Sequence, residues 1–455
     1  MMKSPVWLSD PSYRKRLFAL ALPMMLSNVT VPLLGLVDAA VLGHLDHSYY
    51  LAGVSVGAML ITLAFWLLGF LRMSTTGLVA QAFGRNDAMA IKQVLLQSLV
   101  LAGALSVLLL VLQSVILNLG LMLAAPSEQV AFYAQQYFSI RIWSAPAALA
   151  NYVILGWLLG MQNARAPMWL LIITNLVNIL LDLWFVLGLG WQVQGAAAAS
   201  VIADYFGFGL GLYFVFQAIK PHWQPGDLSA LMKKIWVKVN FFRLIALNRD
   251  IFLRTLCVQI CFSFMTFYGA RLGDDIVAAN AVLLNFLLFI SFALDGLAYA
   301  IEAQVGKAVG RRDSVEFKRC VNVTFFYALL FAMLLMVIFA LFGAHIIALI
   351  TDIPSIQTTA NNYLIWLVFI PLTSVWCFIL DGIFIGATQA KAMRNSMVFA
   401  TLCCFFPVWW LAKDFGNHSL WMAMNAFMLG RGLSLGYLYC RMQRNNRFWS
   451  FNDIG

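Results

Sequence analysis

Asp38, Asp182 and Asp204 are carboxylates set in stretches that are otherwise apolar. Acids in that setting suit one kind of chemistry, the reversible uptake of a proton. Burial and a neighbouring acid both favour the neutral form of a carboxyl group. A carboxylate turned toward hydrocarbon would cost about 2.5–3.5 kcal/mol on insertion scales, so such acids are expected to face an internal cavity. Polar residues accompany them. Asn175, Asn178 and Asp182 are spaced i, i+3, i+7 and share one face of a helix, while Ser200 and Asp204 are spaced i, i+4 and share a face of another. A static network locking helices together would use the same residue types.

The elements that must position these groups are membrane spans. The chain has 455 residues, 62% of them hydrophobic and 11% charged, where a soluble protein carries about 25% charged residues. Apolar runs long enough to cross a roughly 30 Å hydrocarbon layer recur along its whole length. We read twelve spans, the first near 17–42 and the last near 420–440. The first is too long for a cleavable signal, whose apolar stretch is about 7–15 residues. It carries Pro23 and Pro32, each of which removes a backbone hydrogen bond and tends to kink a helix, so this span is a possible bending element upstream of Asp38. At about 1.5 Å rise per residue, Asp38 lies roughly 30 Å along span one and Asp182 about 20 Å along span five. Ser200 and Asp204 lie about 8 and 14 Å into span six, so all four occupy overlapping depths.

The net charge of +10 follows topology and is no nucleic-acid footprint. With the N-terminus inside, Arg14, Lys15, Arg16, Arg85, Arg165, Arg311, Arg312, Arg319, Lys391 and Arg394 fall on one side, with the basic 220–243 stretch. The opposite loops hold only Arg271 and Lys413. That asymmetry places both termini in the cytoplasm and predicts contact with anionic membrane lipids. The seven cysteines lie in or at the ends of spans, with no spacing that suggests a disulfide or a metal site.

The chain also repeats itself with an offset of 226 residues. Ala82-Phe83-Gly84-Arg85-Asn86-Asp87 recurs as Ala308-Val309-Gly310-Arg311-Arg312-Asp313, and Gly156, Gly160 and Ala164 fall on Gly382, Gly386 and Ala390. The glycine pairs permit close helix approach. Six spans per half return the chain to its starting side, which predicts two parallel six-helix bundles about a pseudo-twofold axis along the membrane normal. The expected fold is an all-α polytopic membrane protein with a first lobe at 1–218, a cytoplasmic linker at 219–240 and a second lobe at 241–455. Departures from the repeat are candidates for function: Asp38 corresponds to Phe264, Asn178 to Cys404, Asp182 to Val408 and Ser200 to Ala426. The second half has acids of its own, Asp295, Glu302 and Asp381, expected nearer the cytoplasmic side. Arg72, Arg141, Arg254 and Arg431 are possible partners for buried acids, but spacing alone does not pair them. Neither HExxH nor a phosphate-binding lysine loop is present, so a zinc hydrolase and ATP-driven transport are both disfavoured.

Several stretches resemble one family. Leu33-Leu34-Gly35-Leu36-Val37-Asp38, Leu51-Ala52-Gly53, Ala80-Gln81-Ala82-Phe83-Gly84 and the segment from Gly156 through Arg165 to Pro167 are similar to the multidrug and toxic compound extrusion (MATE) family. The segments Ala293–Ala300 and Leu380–Thr388 resemble its DNA-damage-inducible protein F branch. The resemblance implies a bilobed, twelve-helix exporter of the bacterial inner membrane. It would expel small amphipathic or cationic drug-like molecules in exchange for a cation, with no cofactor and no bound metal, and act as a monomer. In that branch the span-one aspartate is linked to proton coupling and the span-one proline to bending, which match Asp38 and Pro23. The polar residues of spans five and six match Asn178, Asp182 and Ser200. Sodium-coupled relatives look to have an acid within span seven, and Phe252 to Phe267 has none here. Sodium-coupled antiport remains one alternative. A lipid-linked saccharide flippase of the same superfamily is another, although it should prefer a basic cavity.

Overall fold

The structure, a computed structural model, describes residues 11–43, 47–222, 238–446 and 448. The described residues form twelve helical rods. They are α1 (Pro11–Gly43), α2 (Ser48–Leu67, resuming at Phe70–Gly84), α3 (Ala88–Ala124), α4 (Glu128–Gly160), α5 (Arg165–Gly188) and α6 (Gln192–Ile219). The rest are α7 (Lys238–Leu272), α8 (Asp274–Arg311), α9 (Ser314–Ile350), α10 (Pro354–Gly386), α11 (Ala390–Phe399, continuing through Ala400–Phe405 to Phe406–Leu411) and α12 (Asn417–Arg444). Among the described residues, nine of these are long and apolar enough to cross a membrane. Most of the expected linker, 223–237, lies outside the described residues.

The repeat is visible in the backbone. α3 and α9 have the same length, 37 residues, and start 226 apart. Each follows a residue in the left-handed region, Asn86 and Arg312, both at φ 56°. Each is then capped by an aspartate. The Asp87 carboxylate accepts from the Ala90 amide at 2.9 Å, and that of Asp313 from the Val315 and Glu316 amides at 3.0 and 2.8 Å. Such caps satisfy amides that the first helical turn leaves without partners. Gln162 and Thr388, also 226 apart, take φ 62° and 56° after α4 and α10.

Close glycine contacts repeat as well. A Cβ on Gly156 would collide with the Arg72 carbonyl of α2, and one on Gly382 would stand 2.6 Å from the Ala298 carbonyl of α8, the equivalent position. One on Gly160 would reach the Ala80 amide, and one on Gly386 the Gly306 amide, each at 3.0 Å. Neither backbone can yield without moving a helix. Gly156→Ala and Gly382→Ala should each cost about 1–3 kcal/mol through overpacking. The corresponding change at Gly103, which has nothing within 4 Å, should leave thermal unfolding in detergent unmoved.

By internal contacts the chain forms two compact units, one of residues 26–245 and one of residues 1–25 with 246–455. The start of α1 groups with the second half of the sequence. The reason is local packing. Leu17 and Ala21 are fully buried. Gly296 of α8 lies so close that a Cβ there would meet the Ala21 carbonyl and the Met25 amide at 3.1 Å. Phe18 meets Tyr327 of α9 edge-on at 5.0 Å. α1 is one helix despite Pro23 and Pro32, and the division between units falls just after Pro23.

Candidate functional site

In the unit of residues 26–245, the regular helix of α5 ends at Asp182 and continues as a π-helical segment, Leu183–Gly188. Short π segments accommodate an extra residue within a helix and are frequent at functional sites. Asp182 is 1% exposed. One turn earlier, the Asn178 side chain donates to Ser200 Oγ of α6 at 3.2 Å, and both residues are buried. One turn earlier again, Asn175 donates to Thr30 Oγ1 of α1 at 2.7 Å, and Thr30 donates to the Ser27 carbonyl at 2.7 Å. The face shared by Asn175, Asn178 and Asp182 thus reaches α1 at one level and α6 at another.

Asp38 lies on α1 in the same unit, and its side chain is outside the described residues. Its backbone neighbours locate the segment. Val37 and Val41 pack in one apolar cluster with Val186, Val193, Ala196 and Ala197. Val186 is four residues beyond Asp182, and Ala196 four before Ser200. The segments that carry Asp38, Asp182 and Ser200 therefore converge on one cluster.

Asp204 has a different environment. Its carboxylate accepts from Arg141 of α4 at 2.7 Å, with both side chains mostly buried. Arg141 also donates to Ser144 Oγ and lies over the Phe65 ring at 5.7 Å. Asn151 donates to the Asp204 carbonyl at 3.1 Å. A 3-10 turn, Ile142–Ser144, bends α4 at this place. Ser200 and Asp204 share a face, yet Ser200 engages α5 and Asp204 engages α4.

In the other unit, Asp381 of α10 is 5% exposed. One of its carboxylate oxygens accepts from both Arg254 of α7 and Arg431 of α12, the latter at 2.8 Å. The Arg431 guanidinium lies 5.3 Å over the Phe427 ring. Asp295 is half-buried next to Gly296. Glu302 is buried where α8 crosses α10, its backbone carbonyl against Gly386. Among the described residues, no three His, Cys, Asp or Glu side chains are placed to hold a metal ion.

Sequence reasoning missed Thr30 and a buried amide lock in this second unit. Asn280 and Asn417 exchange two hydrogen bonds, at 2.7 and 2.9 Å, and Trp421 donates to Asn280 at 2.9 Å. The repeat held the signal, because these positions correspond to Val54, Trp191 and Gly195 in the first half. Asn280→Leu should leave buried donors without partners, at about 1–3 kcal/mol each. A clear drop in the unfolding temperature of the purified protein is the expected readout.

Twelve helical rods among the described residues, nine of them apolar enough to span a membrane, a sequence repeat and buried charged groups along the rods define a polytopic membrane transporter. The family model described as MatE matches residues 23–184 and 251–411. The chain belongs to the MatE family, the multidrug and toxic compound extrusion transporters, whose members are ion-coupled antiporters rather than enzymes. It is 48% identical to DNA damage-inducible protein F of Escherichia coli over 96% of this chain and 94% of that protein. It is 23% identical to a probable multidrug resistance protein, NorM, of Geobacillus kaustophilus, over 97% of this chain and 96% of that one. Among solved structures, it superimposes on the Vibrio cholerae MATE transporter VcmN in its bent form with a TM-score of 0.83, at 19% identity over 97% of this chain and 99% of that one. A MOP superfamily transporter of Pyrococcus furiosus gives 0.84, at 20% identity over 96% and 97%. These two likenesses concern the fold.

Proposed function

We propose that this chain is a proton-coupled exporter of amphipathic, cationic drug-like molecules. Asp38 and Asp182 take up the protons, in the lobe that carries the first six rods. The observation that carries this reading is Asp182, a buried acid at the start of a π segment, on a helix face whose amides engage α1 and α6. An ionised acid there attracts a cationic substrate, and the same acid, once protonated, does not. Protonation also turns a carboxylate from an acceptor into a donor. Exchange of partners among Asp182, Asn178 and Ser200, together with the Asn175–Thr30 contact, would change the hold of α5 on α1. Bending of α1 near Pro23 then displaces substrate. The family match and the NorM relative support drug export, and the lack of an acid from Phe252 to Phe267 favours protons over sodium.

Asp204 acts as a positioning residue in this scheme, since it is paired with Arg141. Asp295, Glu302 and Asp381 serve the second lobe's structure. We also assign both termini to the cytoplasm and the protein to the inner membrane as a monomer, its two lobes as parallel six-helix bundles. Proteoliposomes loaded with a cationic dye test the coupling. A pH gradient of about one unit should drive dye efflux, each tenfold in proton concentration being worth about 1.4 kcal/mol, and a sodium gradient at constant pH should not. Efflux driven by sodium alone would favour sodium-coupled antiport.

A further inference from the structure

The unit of residues 1–25 and 246–455 carries a groove. It has a volume of about 470 Å³ and is lined by Phe18, Leu22 and Met25 of α1, Leu297 of α8, and a stripe of α9 from Tyr327 to Val337. Its lining is almost wholly apolar. Leu22, Leu330, Leu334 and Val337 are about half exposed, at 50%, 50%, 52% and 48%, so the groove is open along its length.

Each wall is led by an arginine on the same side. Arg14 precedes Phe18 by four residues on α1 and is exposed, so it stands on the groove face one turn before the lining begins. Arg319 precedes Val337 by about five full turns on α9 and shares its face. The Arg319 guanidinium lies 5.8 Å over the Tyr13 ring, and that of Arg16 lies 5.2 Å over the same ring. Arg16 is already engaged by Glu316 at 3.5 Å. Arg14 and Arg319 are left to face the basic end of the groove. An apolar trough about 15 Å long, headed by two guanidinium groups at the membrane surface, matches one occupant: a phospholipid with an anionic head and a long acyl chain. Guanidinium groups bind phosphate oxygens through paired hydrogen bonds.

We propose that this groove holds an anionic phospholipid of the leaflet on the basic side. Its phosphate lies between Arg14 and Arg319, and one acyl chain lies along Phe18, Leu22 and the α9 stripe. Native mass spectrometry of the detergent-purified full-length protein tests it, with palmitoyl-oleoyl phosphatidylglycerol and the phosphatidylcholine of the same chains as probes. Retention of phosphatidylglycerol should exceed that of phosphatidylcholine by about tenfold. The double variant R14A/R319A should bring that ratio close to one, whereas R14K/R319K should retain most of the preference. Filling the trough with Leu334→Trp should reduce retention of both lipids. Inorganic phosphate at millimolar concentration should not displace the lipid, because it lacks the acyl chain. Equal retention of the two lipids by the unaltered protein, an undiminished preference in R14A/R319A, or displacement by free phosphate would each overturn the proposal. So would displacement of the lipid by a transported dye, which would make the groove part of the substrate route.

Discussion

Asp38→Asn should reduce dye efflux driven by a pH gradient by more than about tenfold, while protein level and unfolding temperature should stay near those of the unaltered chain. Asp182→Asn should do the same. The physical reason lies in the energetics of coupling. A proton can shift the balance between two conformations only through a difference in its affinity for them. An amide of the same shape does not titrate, so the gradient has nothing to act on. Asp204→Asn should separate from both. It breaks the ion pair with Arg141 and leaves a largely buried guanidinium without its counter-charge. Its expected signature is reduced stability with the proton dependence of residual transport retained. Full pH-driven efflux by Asp38→Asn or Asp182→Asn would remove that acid from the coupling step.

The largest effect on folding should come from Asp381→Ala. The carboxylate is the counter-charge for both Arg254 and Arg431, whose side chains are 12% and 4% exposed. Removing one partner from a buried ionic group costs about 3–5 kcal/mol, because the remaining charge is left uncompensated. Here Arg254 and Arg431 would both lose this contact. α7, α10 and α12 meet at this acid, so the loss should appear as a lower unfolding temperature and poor recovery from the membrane. Asp381→Glu should recover part of it, and combining Asp381→Ala with Arg431→Met should recover more than Asp381→Ala with a change at an exposed arginine such as Arg441. An unaltered unfolding temperature in Asp381→Ala would show that the three helices hold together without the charge cluster.

Much of this architecture could be read from the residues. The 226-residue echo around Arg85 and Arg311 foretold matching helix ends, and the backbone repeats even the left-handed residues Asn86 and Arg312. The glycine pairs foretold close crossings, because only a missing Cβ lets a backbone carbonyl approach so near. Helical spacing also placed Asn175, Asn178 and Asp182 on one face. It could not say that Asn175 reaches Thr30, since that contact spans 145 residues. The arginine pairings were hidden for the same reason. Arg141 meets Asp204 across 63 residues and Arg254 meets Asp381 across 127, and charge type alone allowed other matches. The grouping of residues 1–25 with the second half was not legible either. A run of apolar residues tells that a helix will be buried or face lipid, but not which neighbour it finds. The amide lock of Asn280 and Asn417 was within reach, as a polar departure from an apolar repeat.

The grouping of the first 25 residues with the later unit also sets an order of events during synthesis. Ala21 and Phe18 find these native neighbours only when Gly296 and Tyr327 have been made. At roughly 5–20 residues per second, the stretch between Ala21 and Gly296 takes about 15–55 s to translate. For that interval the start of the first helix sits in the membrane against lipid or transient partners while the later rods are inserted. Its native docking closes a loop that runs from Phe18 to Tyr327, so this tertiary step should come late in assembly.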